Sequence, residues 1–139
     1  GSEAISFGNS SHAEGKSTLA FGTYSHAEGT DTVAYGLSSH AEGNSTIASG
    51  SYSHAEGYFT IARGDYSHTG GWGTIASGSY QAAIGTFNKR GNTTSLFVVG
   101  NGTSDIDADR SDIVRRISST FIRIRWKYLE IYSSYIIIS

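Results

Sequence analysis

A strict period of 14 residues constrains this chain more than any other feature of its sequence. The pentapeptide SHAEG occurs four times and a divergent copy, SHTGG, follows at the same spacing: Ser11–Gly15, Ser25–Gly29, Ser39–Gly43, Ser53–Gly57 and Ser67–Gly71. Between the copies, each unit carries threonine, then an aliphatic residue, then alanine, as in TLAFG at Thr18–Gly22. Such a period predicts a stacked array in which neighbouring units complete one another's core.

Each unit divides into five, two, five and two residues, which predicts two short strands joined by two tight turns. Side chains alternate along a strand, so Ser11, Ala13 and Gly15 share one face while His12 and Glu14 share the other. The face of small residues must lie inside, where it lets two layers of strands pack closely. Stacking these coils about 4.8 Å apart gives an all-β, parallel β-roll. We expect Ser and Thr hydroxyls to form hydrogen-bonded ladders inside this roll.

The second strand of each coil turns an aliphatic residue outward, and these residues form one unbroken column: Ile5, Leu19, Val33, Ile47, Ile61 and Ile75. A continuous apolar stripe on a solenoid predicts lateral association with another surface. Copies of the chain arranged around a symmetry axis would bury the apolar column of every copy at once. The period alone does not determine how many copies associate.

The motifs STLAFG, DTVAYG and STIASG resemble the NSVAIG-type motif in the head of YadA-type trimeric autotransporter adhesins. SHAEG resembles the small-residue strand that alternates with that motif, and the resemblance covers about Ala4–Gly85. It implies a left-handed parallel β-roll, assembly as a homotrimer, and a rigid cell-surface head that binds host matrix proteins, glycans or other surfaces. It also implies that the aliphatic column lines the trimer axis.

A companion column runs beside the aliphatic one and begins with Phe7, Phe21 and Tyr35, which we assign to the same trimer interface. Its later members are Ser49, Arg63 and Ser77, which depart from the apolar residue usual in the family. The resemblance therefore implies a less apolar axis in the later coils.

The period ends after QAAIG, and we divide the chain into head repeats at 1–85, a capping loop and strand at 86–109, and a basic, isoleucine-rich segment of unknown role at 110–139. SLFVVGNGTSD, at 95–105, resembles a segment of phage tail or appendage fibres. An alternative function is therefore the shaft or tip of a phage fibre, located on the virion.

The outward column of histidines and glutamates allows three interpretations: a stacked ladder that supports itself, a recognition surface for a repetitive ligand, and a row of metal sites. We favour the first, and so expect neither a metal nor a cofactor. The candidate ligand surface comprises this column and the turn tyrosines: His12, His26, His40, His54, Glu14, Glu28, Glu42, Glu56, Tyr24, Tyr52 and Tyr66.

Composition and pattern argue against several function classes. Residues 1–109 carry 4 basic and 10 acidic side chains, so this region is not expected to bind nucleic acid. Cysteine is absent, and with it disulfides and thiolate metal sites. The sequence contains no run of about 20 apolar residues, so it does not predict a membrane-spanning helix. An identical His–Glu pair in every coil, with serine on the opposite face, indicates a structural repeat rather than an enzyme.

Overall fold

A computed structural model of the chain describes residues 2–114 and contains two parallel-stranded layers. The first sheet has six strands: β1 Ile5–Ser6, β3 Leu19–Ala20, β5 Val33–Ala34, β7 Ile47–Ala48, β9 Ile61–Ala62 and β11 Ile75–Ala76. The second sheet has eight: β2 His12–Lys16, β4 His26–Thr30, β6 His40–Asn44, β8 His54–Ala55, β10 His68–Thr69, β12 Ala82–Thr86, β13 Phe97–Asn101 and β14 Asp112–Val114. The helical structure within these residues is a 3-10 turn at Asp107–Asp109.

The coils stack in the register that the period predicts. Each strand from β1 to β12 pairs in parallel with its counterpart one period away, so that Ile5 lies opposite Leu19 and His26 lies opposite His40. Backbone bonds join successive coils, as where the Leu19 N–H donates to the Thr32 carbonyl at 2.9 Å. The predicted all-β, parallel β-solenoid is therefore confirmed. The left-handed sense and the trimeric assembly stay predictions.

Alanine methyl groups form the core between the sheets. Seven fully buried alanines make one cluster: Ala20, Ala27, Ala34, Ala41, Ala48, Ala55 and Ala62. The threonines and serines of the inner face are also buried, as predicted. The layers can approach so closely because no side chain between them is larger than threonine in these coils.

In the described coils, the buried hydroxyls do not bond to one another in the predicted ladders, because they donate to backbone carbonyls instead. Thr46 and Thr60 donate to the carbonyls of Glu42 and Glu56, four residues earlier, at 3.1 and 2.9 Å. A backbone carbonyl within the same coil is thus the acceptor, because the chain reverses there and points that carbonyl inward. In the first two coils the Thr18 and Thr32 hydroxyls have no partner among the described residues.

Two glycine columns let the coils stack without steric conflict. A Cβ on Gly22 would lie 1.9 Å from the Gly36 carbonyl oxygen of the next coil. Gly29 has a φ of +109°, and a Cβ there would lie 2.1 Å from the Gly43 oxygen. Residues with side chains cannot occupy either position without shifting the backbone.

Side chains that depart from the period close the end of the roll. Asn88 ends the first sheet because its amide replaces a strand: the Ile75 N–H donates to Asn88 Oδ1 at 2.7 Å, and Asn88 Nδ2 donates back to the Ile75 carbonyl at 2.9 Å. Buried Gln81 likewise donates to the carbonyls of Asn92 and Ser95. The end of the roll is thus held by two amide side chains, Asn88 from the capping segment and Gln81 from the last coil.

Arg110 ties the capping segment to the roll. Its buried guanidinium donates to the carbonyls of Gly73 and Asn88 at 3.0 and 2.9 Å, and it lies 5.5 Å from the centre of the Phe87 ring. Strand β14 then pairs antiparallel with β13. The second sheet therefore continues past residue 109, and the division of the chain into segments stays a prediction. The rest of the predicted basic segment lies outside the described residues.

Candidate functional site

Strands β2, β4, β6, β8 and β10 carry one outward row of imidazoles and carboxylates, here called the His/Glu column: His12, Glu14, His26, Glu28, His40, Glu42, His54, Glu56 and His68. Parallel pairing in register places each histidine beside the next one. The middle rings stack with centroids 4.7 and 4.8 Å apart and interplanar angles of 2° and 3°. The rings at the two ends tilt by 56° and 48°.

Three of the four carboxylates, those of Glu28, Glu42 and Glu56, form a hydrogen bond with the histidine of the following coil. The Nε2 to Oε1 distances are 3.2 Å for His40 and Glu28, 2.9 Å for His54 and Glu42, and 3.1 Å for His68 and Glu56. Histidine and glutamate lie two residues apart on each strand and point outward from the same face. A glutamate therefore lies next to the histidine of the following coil, and the contact joins two coils. The column is therefore a ladder of cross-coil hydrogen bonds as well as a stack of rings.

The same geometry brings potential metal donors together. Three groups have their ligand atoms within 4.8 Å of one another: His12–Glu14–His26, His26–Glu28–His40 and His40–Glu42–His54. The Nε2 atom of His26 is buried and has no hydrogen-bond partner among the described residues. Its nearest carboxylate oxygen is Glu14 Oε1, at 3.8 Å.

The serines beside these histidines lie on the opposite side of the strand. Ser39 and Ser53 are buried and donate to the carbonyls of Gly36 and Gly50 at 2.8 and 2.6 Å. Their hydroxyls therefore point away from the imidazoles of His40 and His54. The arrangement does not provide a serine nucleophile with an adjacent base.

The turn tyrosines project from one edge of the roll. Tyr52, Tyr66 and Tyr80 form a stack with ring centroids 5.0 and 5.2 Å apart, whereas Tyr24 lies between Ser10 and Ser38 in the same column. All four are exposed, and all have φ near +60°, in the left-handed region. This edge offers aromatic surface with polar tips.

The outward face of the first sheet is strongly apolar in the early coils. Phe7, Phe21 and Tyr35 stack with centroids 4.7 and 4.9 Å apart, and Phe7 and Tyr35 are 60% and 52% exposed. Ile5 is also exposed, whereas Ile75 at the capped end is buried. The predicted interface residues thus lie on one face, which is accessible in the early coils and covered at Ile75.

A groove of about 520 Å³ lies at the capped end of this face and was not predicted from the sequence. Tyr58, Phe59, Trp72 and Phe87 contribute aromatic walls, and the charged lining consists of Asp105, Arg63, Arg90 and Arg110. The available signal was the replacement of Lys16, Thr30 and Asn44 by Tyr58 and Trp72 in one column.

Hydrogen bonds from Arg110 and then from Arg90 hold the pKa of Asp105 below its ordinary value. The same pairing with Asp105 raises the pKa of Arg90. Asp105 is the first acid of the DIDAD segment, at 105–109, which has the first half of a calcium-loop pattern. The rest of that pattern is absent, because Arg110 and Arg116 stand where it requires glycine and glutamate. The sequence therefore favours an ordinary acidic loop, and the engagement of Asp105 by two guanidinium groups agrees with this.

Within residues 2–114, no helix has the length and apolar character needed to cross a bilayer. The comparisons with curated proteins and with solved structures gave no significant match. None of these comparisons covers residues 95–105, so the resemblance of this segment to phage fibres stays a prediction.

A family model of two tandem YadA head domain repeats matches four overlapping stretches, at 1–25, 13–39, 27–53 and 41–67. Successive matches begin one period apart after the first, which agrees with the register of the stacked coils. The coils over residues 1–67 are thus YadA-like head repeats.

Proposed function

We propose that this chain acts as a homotrimeric head module of a cell-surface adhesin and binds an extracellular matrix protein or a glycan. The observation that supports this most directly is the accessible apolar face formed by Ile5, Phe7, Phe21 and Tyr35. An exposed apolar face of this kind needs a partner. Proteins with YadA-type heads assemble as trimers, so the partners proposed here are two further copies of the chain.

The proposed assembly places the apolar columns at the centre. The same face as the exposed aromatics carries the partly exposed Leu19, Val33, Ile47 and Ile61, so three such faces can meet around one axis. Ile75 continues the column, but it is already buried in the single chain. Arg63 occupies the later part of the companion column. The interface therefore changes from aromatic contacts at the first coils to polar contacts near the cap.

The surfaces left outside such a trimer are suited to binding. The His/Glu column lies on the second sheet, and the turn tyrosines lie at the edge of the roll. Both repeat at the spacing of the coils, which fits a partner with its own repeat, such as a matrix protein or a glycan. Exposed tyrosines supply contact area with little conformational entropy to lose.

We also propose that the module has no catalytic activity. Ser39 and Ser53 are buried and point away from the histidines. Three of the four carboxylates of the column are engaged in cross-coil hydrogen bonds. The imidazoles and carboxylates of the column then serve packing and recognition.

Binding to immobilised matrix proteins and a glycan array tests the adhesive role, with an albumin surface as reference. We expect at least one matrix protein or glycan to bind above that reference. Replacing both Tyr24 and Tyr52 with serine, which the same column carries at Ser10 and Ser38, should weaken binding at least tenfold.

Lys16→Ser is the matched control because Lys16 is exposed at the opposite turn of the coil. It should leave binding within twofold of the original chain. Binding to no matrix protein or glycan would contradict the adhesive role, and equal losses in the tyrosine and lysine variants would contradict the assignment of the tyrosine edge.

A further inference from the structure

The His/Glu column contains donor groups that its own hydrogen bonds do not complete. His26 Nε2 is buried without a hydrogen-bond partner among residues 2–114, and Glu14 lies too far away, at 3.8 Å, to accept a hydrogen bond from it. His40 and His54 direct the same ring nitrogen at a carboxylate. The column thus presents nitrogen and oxygen donors on one face, in repeating groups.

The donors are of the kind that zinc and similar divalent ions prefer. Neutral imidazole nitrogens and carboxylate oxygens bind Zn²⁺ at about 2.0–2.2 Å, commonly in a tetrahedron. The donors of such a site lie about 3.3 Å apart. Glu42 and His54 place theirs 2.9 Å apart, and Glu14 and His26 place theirs 3.8 Å apart. The two imidazoles of a group must tilt toward each other to close the site, as the rings at the ends of the column already do.

We propose that the His/Glu column binds divalent transition-metal ions of the Zn²⁺ type, two per chain. The first ion is held by His12, Glu14 and His26 and the second by His40, Glu42 and His54. A third ion cannot bind at the same time, because the middle group uses Nε2 atoms of His26 and His40 that the other two sites need.

Binding exchanges one set of interactions for another without a net change in charge on the imidazole. In the metal-bound column each ligating imidazole carries its proton on Nδ1, so that the lone pair of Nε2 faces the ion. The proton that His54 Nε2 donates to Glu42 in the ion-free column therefore moves through solvent to Nδ1, and that hydrogen bond is replaced by two bonds to the metal, one from each residue. Water supplies the fourth ligand on the exposed side, since His40, Glu42 and His54 are each about one-third exposed.

All the donors of a site belong to one chain, so metal binding is independent of the proposed trimer. The column lies on the second sheet, whereas the apolar face belongs to the first. The sites therefore stay accessible in an assembly that buries the aliphatic column. This inference departs from the sequence-based expectation of no metal because only the structure shows the donors within reach of one another.

Titration of the 139-residue chain with ZnCl₂, followed by calorimetry and equilibrium dialysis, measures the stoichiometry. We expect two zinc ions per chain, falling to one in His40→Ala and to none in the double variant His26→Ala/His40→Ala. His68→Ala is the matched control. His68 lies in the same column and pairs with Glu56, but it belongs to none of the three donor groups, so two ions should still bind.

Glu42→Gln gives a second test that keeps every imidazole in the stack, and it should also reduce the stoichiometry to one. The visible spectrum of bound Co²⁺ should show the intense bands of a four-coordinate ion in the original chain. Circular dichroism verifies that each variant keeps its fold. Absence of zinc binding, one ion per histidine, or equal losses in His68→Ala and His40→Ala would overturn the proposal.

Discussion

At the turns between coils, residues other than glycine adopt a left-handed backbone. Tyr24 and Tyr66 do so with φ of +59° and +57°, a conformation that costs a bulky residue about 1 kcal/mol or more. Tyr66 stacks on both Tyr52 and Tyr80, whereas Tyr24 has serines above and below it. Ring stacking therefore offsets the backbone cost at one position and not at the other.

We expect asparagine to have opposite effects at these two turns. Asparagine tolerates the left-handed region, so Tyr24→Asn should raise the free energy of unfolding by up to about 1 kcal/mol. Tyr66→Asn loses two ring stacks worth about 0.5–1.5 kcal/mol each, so its net effect should be destabilising. Denaturant titration of both variants measures the difference, and equal effects would show that stacking contributes nothing here.

At the scale of the element, the cap replaces repetition with individual contacts. Asn88 satisfies the edge of β11, Arg110 reaches the Gly73 carbonyl, and Asp105 pairs with both Arg90 and Arg110. An uncapped edge would leave backbone groups open to pairing with other chains. The cap thus stabilises the last coil and protects its edge.

The cap should lose stability in acid through Asp105. Arg110 and Arg90 lower the pKa of this carboxyl in the folded chain below its ordinary value of 3.8. A carboxylate of this kind stabilises the fold at pH values above its unfolded pKa, and the contribution is lost as the pH falls through the folded pKa. The melting temperature should therefore decrease as the pH is lowered below about 4.

Asp105→Asn is the informative comparison. Its melting temperature should lie below that of the original chain at pH 7, and the gap should close as the pH drops below about 4. Asp31→Asn serves as the control, since Asp31 is exposed at a turn far from the cap. A constant gap across this range would show that the Asp105 charge does not contribute.

At the scale of the whole molecule, a core of alanine methyls buries little apolar surface per coil. The backbone bonds between coils and the glycine columns let the roll extend without a thick core. The apolar side chains that would form a core elsewhere project from the first sheet instead. Association through that face would supply the burial that the single roll lacks.

Ile47→Asp tests the assembly at its centre. A carboxylate in the interface would lack a counter-charge and should cost several kcal/mol per chain, so the variant should be monomeric or unfolded. Light scattering should give the mass of three chains for the original protein. His40→Ala changes the same coil on the opposite sheet and should keep that mass. A monomeric original chain, or the same mass for both variants, would contradict the trimer.

The sequence by itself determined the repeating part of this protein. The 14-residue period sets which residues pair, and alternation sets which face inward, so the strands, the register and the buried Ala41 followed from local pattern alone. Each of these features is a contact between a residue and its own copy in the next coil, and repetition makes such contacts visible in sequence.

Tertiary structure decided the contacts that break the period or depend on side-chain direction. The pairing of Glu28 with His40 and the bond from Thr46 to the Glu42 carbonyl depend on side-chain direction, which the period does not specify. The contact of Arg110 with Gly73 has no periodic signal at all. Rotamers and a chain reversal select these partners from several within reach. The donor groups of the His/Glu column likewise became apparent only when the distances between their nitrogen and oxygen atoms were known.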